Sequence, residues 1–362
     1  MTPRLRLKNN EEEARERSRA FWHGKSLGRP GLIVHAKDKS FKPIEWKGAA
    51  LSKKEADFNP EWHEWSCYNG LFSNKYLAEA IPSVTVNFGS HLAMLAILAG
   101  ADYEYDDSAW IVPKDNVLEI DVPKFDPNCE LIKKLEDCFE KIIDVVEDKA
   151  AICPPIMLDA ITTLSMMHTS EELCVSLVEE SEKVKRLTQD MTTLNMDWFE
   201  HFYRFLGQRG YTDNTSWYSL LSEGRMDAMQ CDFSVMLSAD MYEEFVLPDL
   251  KRMSAYFENG IYHHDGVEQF RFIEKIASAP KMKVIQWNPV NWQNIPPEEH
   301  LHYYKQIKEL GLSLYIFTKS VDDAVYLTKK LGPDGLMLTL PMFECEEDAN
   351  AAISRIQAAC KK

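Results

Sequence analysis

Along the second half of the chain, apolar and polar positions repeat as short strand, then helix. "GIYHHDG" (260–266) has the length and bounds of a strand. In the following "VEQFRFIEKIASA" (267–279), Phe270, Ile273 and Ile276 fall at helical spacing. "MKVIQWNP" (282–289) is a β-branched run closed by Asn-Pro. "EEHLHYYKQIKEL" (298–310) puts Leu301, Tyr304, Ile307 and Leu310 on one helix face, and Gly311 closes it. "SLYIFTK" (313–319) is the next strand. Ser320, three residues before Asp323, is placed to cap "VDDAVYLTKKL", which Gly332 ends. "GLMLTLP" (335–341) predicts a strand and 346–360 the last helix. Strands starting at 260, 283, 313 and 335 are spaced by 23, 30 and 22 residues, the rhythm of βα units in a parallel sheet.

Upstream the same order continues with longer insertions. The full set of predicted strands is 30–36, 150–159, 213–218, 228–234, 260–265, 283–288, 313–318 and 335–341. Helices are predicted over 130–148, 170–206 and 239–257, the last kinked at Pro248. Eight strands suffice to close a barrel. The expected fold is therefore α/β: a single (β/α)8 TIM barrel over 1–362. Residues 37–129, rich in Trp and Tyr, read as an irregular insertion that caps the barrel mouth rather than a separate domain.

Composition narrows the function. A net charge of −16 argues against nucleic acid or an anionic membrane as partner, since phosphate binding needs surplus Lys and Arg. The one basic stretch, "MTPRLRLKNN", is short and reads as a solvated tail. No apolar run is long enough to span a bilayer and no secretory signal is visible, so a cytoplasmic location is expected. The eight Cys include no CxxC pair and are expected to be reduced thiols, several in the core.

In a barrel, chemistry belongs at the carboxyl ends of the strands. The polar residues there are His35, Asp159, Trp217, Asp232, His263 to Asp265, Gln286 with Trp287, and Thr318. Neighbours on a strand point to opposite faces. His263 and Asp265 are therefore expected to face the pocket together with Ile261, and His264 to pack under a helix. His263 and Asp265 can share a cation, or the carboxylate can orient an imidazole acting as acid or base. Trp217 and Trp287 are candidate walls. Arg225, after Gly224 in a loop, can clamp a carboxylate or pair with Asp227 at the surface.

Three segments in order resemble the uroporphyrinogen decarboxylase superfamily: "PPIMLDAITTLSMMHTSEELCVSLVEESEKVKRL" (154–187), "QCDFSVMLSADMYEEFVLPDLKRM" (230–253), and "YHHDG" followed by "VIQWNP". The likeness covers about 150–345 and implies a (β/α)8 barrel. One branch of that superfamily decarboxylates a porphyrinogen without a cofactor. The other moves methyl groups to or from thiols and corrinoid proteins, with zinc held by a His-x-Cys pair and a later Cys. Here "GRPGLIVHAKDKS" lacks the first branch's Arg, and Asp265 stands at the second branch's Cys position. Cys345 lies near the later Cys position, at the start of the last helix.

The resemblance implies an enzyme transferring a methyl group from a small substrate to or from a thiol, or a corrinoid on a separate partner protein. His263, Asp265 and Asp232 would be catalytic. Asp159, Trp217, Arg225, Gln286, Trp287 and His35 would contact substrate, with zinc on His263 and Asp265 if metal is used. A cofactor-independent decarboxylase, with Arg225 gripping the carboxylate, is the alternative. A barrel that binds a small molecule or tetrapyrrole without turning it over is the third reading.

Overall fold

The computed structural model describes residues 5–86, 91–289 and 295–360. Its strands are β1 (Gly31–Lys37), β2 (Asn74–Ala78), β3 (Ser83–Val84), β4 (Tyr103–Tyr105), β5 (Ala109–Ile111) and β6 (Ala151–Ile152). They continue with β7 (Asp213–Asn214), β8 (Ser222–Glu223), β9 (Ala228–Met229), β10 (Gly260–Asp265), β11 (Met282–Asn288), β12 (Ser313–Phe317) and β13 (Leu336–Thr339). The central sheet has seven strands in the order β2-β1-β13-β12-β11-β10-β9. All its pairs are parallel except β1 with β2.

The βα rhythm of the second half is therefore realised strand for strand. Residues at both parities of these strands are apolar because both faces are covered. Ile33, Ile261, Val284, Tyr315 and Met337 form an inner cluster. Phe21 and Trp22, from the helix Glu11–Trp22, join it. That helix closes the amino-terminal end of the strands: Ser313 Oγ donates to Phe21 O at 3.2 Å, and Trp22 Nε1 donates to Leu221 O at 2.8 Å. The outer parity, Tyr262, Ile285, Leu314, Ile316 and Leu338, packs with the helices in the main core. Each such side chain contributes roughly 1.5–3 kcal/mol on burial. Gly260 is required at the start of β10, because a Cβ there would lie 2.6 Å from Lys281 O.

Several predicted punctuation marks act as read. Ser320 Oγ accepts from Asp323 N at 3.1 Å, capping the helix Val321–Leu331. Gly332 ends that helix with φ 72°. The predicted helix 239–257 is divided into Ala239–Phe245 and Leu247–Tyr256, with Pro248 in the first turn of the second. The predicted helix 170–206 is also two, Ser170–Glu179 and Ser181–Gln208.

The closed eight-strand barrel is not seen: among the described residues the hydrogen-bonded ladders remain open. β6 pairs only with β3, and β7 only with β8, in two-stranded sheets. The predicted strands 150–159, 213–218 and 228–234 shrink to two residues each. The causes are local. Pro154 and Pro155 have no N–H for a ladder. After β7 the chain turns, Ser219 N donating to Ser216 O at 3.1 Å and Ser219 taking φ 53°. After β9 it coils into the 3₁₀ turn Asp232–Met236. Arg271 holds that turn by donating to Val235 O at 2.9 Å and Leu237 O at 2.8 Å.

Two further expectations need correction. The insertion 37–129 is not wholly irregular: β2 joins the central sheet beside β1, and β3 pairs with β6. The basic stretch is not a solvated tail over its described part. Leu5 is buried, and Lys8 Nζ donates to Tyr76 O at 3.2 Å from a buried position that lowers its pKa to about 8. Residues 1–4 of that stretch lie outside the described residues. All eight cysteines are free thiols, and Cys67, Cys138, Cys153 and Cys231 are buried. Among the described residues, no helix is long and apolar enough to cross a membrane.

Candidate functional site

The carboxyl ends of β10 and β11 carry the constellation. Parallel register sets His263 beside Gln286 and Asp265 beside Asn288. His263 Nδ1 hydrogen-bonds Gln286 Oε1. Gln286 Nε2 is committed to Trp287 O at 3.2 Å, and Tyr218 OH donates to the same Oε1 at 3.4 Å. The amide oxygen is thus the acceptor and Nδ1 the donor, and among the described residues Nε2 has no hydrogen-bond partner. Asp265 Oδ1 accepts from Asn288 Nδ2 at 2.7 Å. The Trp217 indole lies against His263 with centroids 4.9 Å apart and is 46% exposed.

Asp232, in the turn after β9, completes the group. Its carboxyl is held above the usual carboxylate range by burial first and by the charge of Asp265 next, with His263 pulling the other way. Oδ1 is shielded from solvent and has no hydrogen-bond partner among the described residues. Asp159 lies behind it. It caps the helix Ala160–His168, accepting from Thr162 N at 3.0 Å, and the Cys231 thiol lies against its carboxyl. Burial pushes Asp159 up to about 7, with Asp232 adding to the shift. Asp159 fronts a small recess shared with Tyr262 and Asp249, on the helix side of the sheet. It therefore backs the centre rather than facing its open side.

Three other predicted residues sit elsewhere. Trp287 is on the outer face, 2% exposed, stacked on His264 with centroids 4.8 Å apart. Its Nε1 donates to His300 Nδ1 at 2.8 Å. Trp287 is a core residue because it has the parity of His264, not of His263. Arg225 is bound to Glu200 at 3.0 Å and Glu258 at 3.3 Å, with its guanidinium against the Tyr203 and Tyr256 rings. It clamps neither Asp227 nor the centre. Thr318 closes on Thr339 O at 2.8 Å.

His35 follows Ile33 on the inner row of β1 and lines a separate cleft of about 580 Å³. The Trp217–Ser219 stretch borders both places: Trp217 covers His263, and Ser219 lines the cleft. Sequence reading missed Asn288 and Tyr218, the partners that orient Asp265 and Gln286. Period two flags Asn288, two residues after Gln286 as Asp265 is after His263. Tyr218 had no such signal, since its turn is set by contacts with Tyr315. Asp227 was read only as a surface partner. It is buried, accepts from Ala228 N at 2.7 Å, and is pushed up to about 8 by burial.

The centre can exchange protons: it joins a His with a free ring nitrogen to a carboxyl biased toward its neutral form. It does not fit the zinc reading. Among the described residues, no group of three or more His, Cys, Asp or Glu is placed to hold a metal ion. Asp265 is engaged by Asn288, and a structural or catalytic zinc needs at least three protein ligands. No protein-family model matches the chain, and no curated protein sequence matches it significantly.

Proposed function

We propose that the chain is an enzyme that works by proton transfer at the His263–Asp232–Asp265 centre on a small, non-anionic substrate. The observation that supports this most directly is the partnerless, solvent-shielded Oδ1 of Asp232 beside His263 and Asp265. A buried carboxyl without a hydrogen bond is costly unless something else comes to meet it. Of the chemistries implied by the resemblance, methyl transfer suits the centre better than decarboxylation. A decarboxylase needs a cation for the substrate carboxylate, and Arg225 is spent on Glu200 and Glu258.

In the proposed reaction the acceptor's electron pair forms the new bond to the methyl carbon. The bond from that carbon to its oxygen, sulfur or nitrogen breaks, and Asp232 delivers its proton to the departing heteroatom. His263 Nε2, the bare nitrogen of a ring fixed by Gln286, takes the proton that a thiol acceptor releases, or one from water when the acceptor is a corrinoid, and passes it to Asp232 between turnovers. The half-exposed Trp217 face covers the methyl-bearing end of the substrate. A thiol, or a corrinoid carried by a partner protein, is the proposed acceptor class. We further propose that β6 and β7 complete an opened (β/α)8 barrel; they supply the two strand positions missing from the parallel run β9 to β1, and they touch one another.

The test is a panel of methylated alcohols, thiols and amines, with a thiol or a reduced corrinoid as acceptor, followed by methyl-acceptor formation. Asp232→Asn should lower kcat by about 100-fold or more, as expected for loss of a general acid. Wild-type activity should fall as pH rises through the elevated pKa of Asp232. No methyl transfer with any pair, or full activity in Asp232→Asn, would reject the reading.

A further inference from the structure

The cleft on the other side of the Trp217–Ser219 stretch has a chemistry of its own. It lies between β1 and β2 and the helices Lys53–Asp57 and Pro60–Phe72 of the insertion, with about 580 Å³ of space. That is the size of a site for an organic ligand. Aromatic faces line it: His35 and Tyr76 meet edge to face at 5.5 Å, and Trp62 stands with them.

Its titratable lining carries no uncompensated charge. Lys53 and Asp57 are paired with each other, and Asp57 also accepts from Tyr105 OH. His63 Nε2 donates to Asp57 O at 2.8 Å. Tyr76 OH donates to Leu71 O at 2.9 Å. Burial pushes the Cys67 thiol up to about 12, so it stays protonated. Burial, and then the charge of Lys8, pushes His35 down to about 4, so its ring is neutral at physiological pH. Among the described residues, the ring nitrogens of His35 have no hydrogen-bond partner.

A neutral imidazole offers one donor and one acceptor, and the hydroxyls of Ser66, Thr85 and Ser219 offer both. A charged ligand would lose its water here, and the ions that line the cleft, Lys53 and Asp57, are already paired with each other. A flat uncharged ring with nitrogen atoms on its edge would satisfy His35 and lie along the aromatic faces. We infer that this cleft is a binding site for an uncharged heteroaromatic group, read by His35. The inference concerns the cleft alone and does not rest on the proton-transfer reading of the neighbouring centre.

Three probes of similar size separate the possibilities on the full chain at neutral pH: benzimidazole, benzamidinium and benzoate. Isothermal titration should show saturable binding of benzimidazole, with each charged probe weaker by about tenfold or more. His35→Ala should weaken benzimidazole by a similar factor. Ser66→Trp, which fills the cleft from an exposed helix position, should abolish binding while thermal melting reports an intact fold. No saturable heat from benzimidazole, equal binding of a charged probe, or binding unchanged in both variants would overturn the assignment.

Discussion

The two faces of the β10–β11 pair carry the same residue types to opposite ends. On the inner face, His263 is tied to Gln286, faces Trp217, and stands among Asp232, Asp265 and Asn288. On the outer face, one residue further along each strand, His264 stacks on Trp287 with an interplanar angle of 13°. Both ring nitrogens of His264 are buried, with only the backbone of His264 and Gln269 as polar neighbours among the described residues. Two adjacent histidines thus differ in everything that matters for chemistry. The lesson is that parity, not residue type, separates an imidazole facing the strand-end centre from a packing one.

Breaking the outer face should have the largest effect on stability. Trp287→Ala removes a large buried ring from between His264, Tyr303 and Tyr304, and should cost about 3–5 kcal/mol in denaturant unfolding. A loss below about 1 kcal/mol would mean the stack is not core packing.

The inner face should show the opposite signature. His263→Ala should reduce turnover by about 100-fold or more and change stability by no more than about 1 kcal/mol. A variant that unfolds readily and keeps its specific activity would place His263 with His264.

The subtlest contrast is in pH. Burial pushes His264 down to about 4 from an ordinary 6.5. A histidine with a depressed folded pKa contributes stability that is present above its unfolded pKa and lost as pH falls. The protein should therefore lose stability between about pH 6.5 and pH 4, by an amount on the order of a few kcal/mol. His264→Phe, which keeps the stack and removes the titration, should flatten that part of the curve in urea melts. An unchanged acid limb would show that other groups control it.

Legibility followed the regularity of the chain. The strands at 260–265, 282–288, 313–317 and 336–339 match the apolar runs because both of their faces are buried, and burial leaves a mark at every position. The upstream strands shrink to 151–152, 213–214 and 228–229, shorter than their apolar runs predict. Their apolar residues are buried too, but in turns and helix starts. Composition does not distinguish a buried turn from a buried strand. The centre was legible in His263, Asp265, Asp232 and Gln286, all at strand ends on one parity or just beyond. Arg225 and Trp287 were misplaced for different reasons. Arg225 found Glu200 on a helix 25 residues earlier, a partner no local pattern indicates. Trp287 sits beside Gln286 in sequence but on the other side of the sheet.

The sequence by itself determined the parallel βα order from β10 onward, the helix caps at Ser320 and Gly332, and the opposed directions of His263 and His264. These follow from periodicity and backbone stereochemistry, which act over a few residues. Only the tertiary structure decided that among the described residues the ladders stay open at β6 and β7, that Asp232 comes within electrostatic reach of Asp265, and that Arg225 turns away. It also decided that a cleft whose lining charges are paired opens beside His35. Those outcomes depend on which distant groups share the same desolvated space, and burial and charge pairing are properties of that space rather than of any segment of the chain.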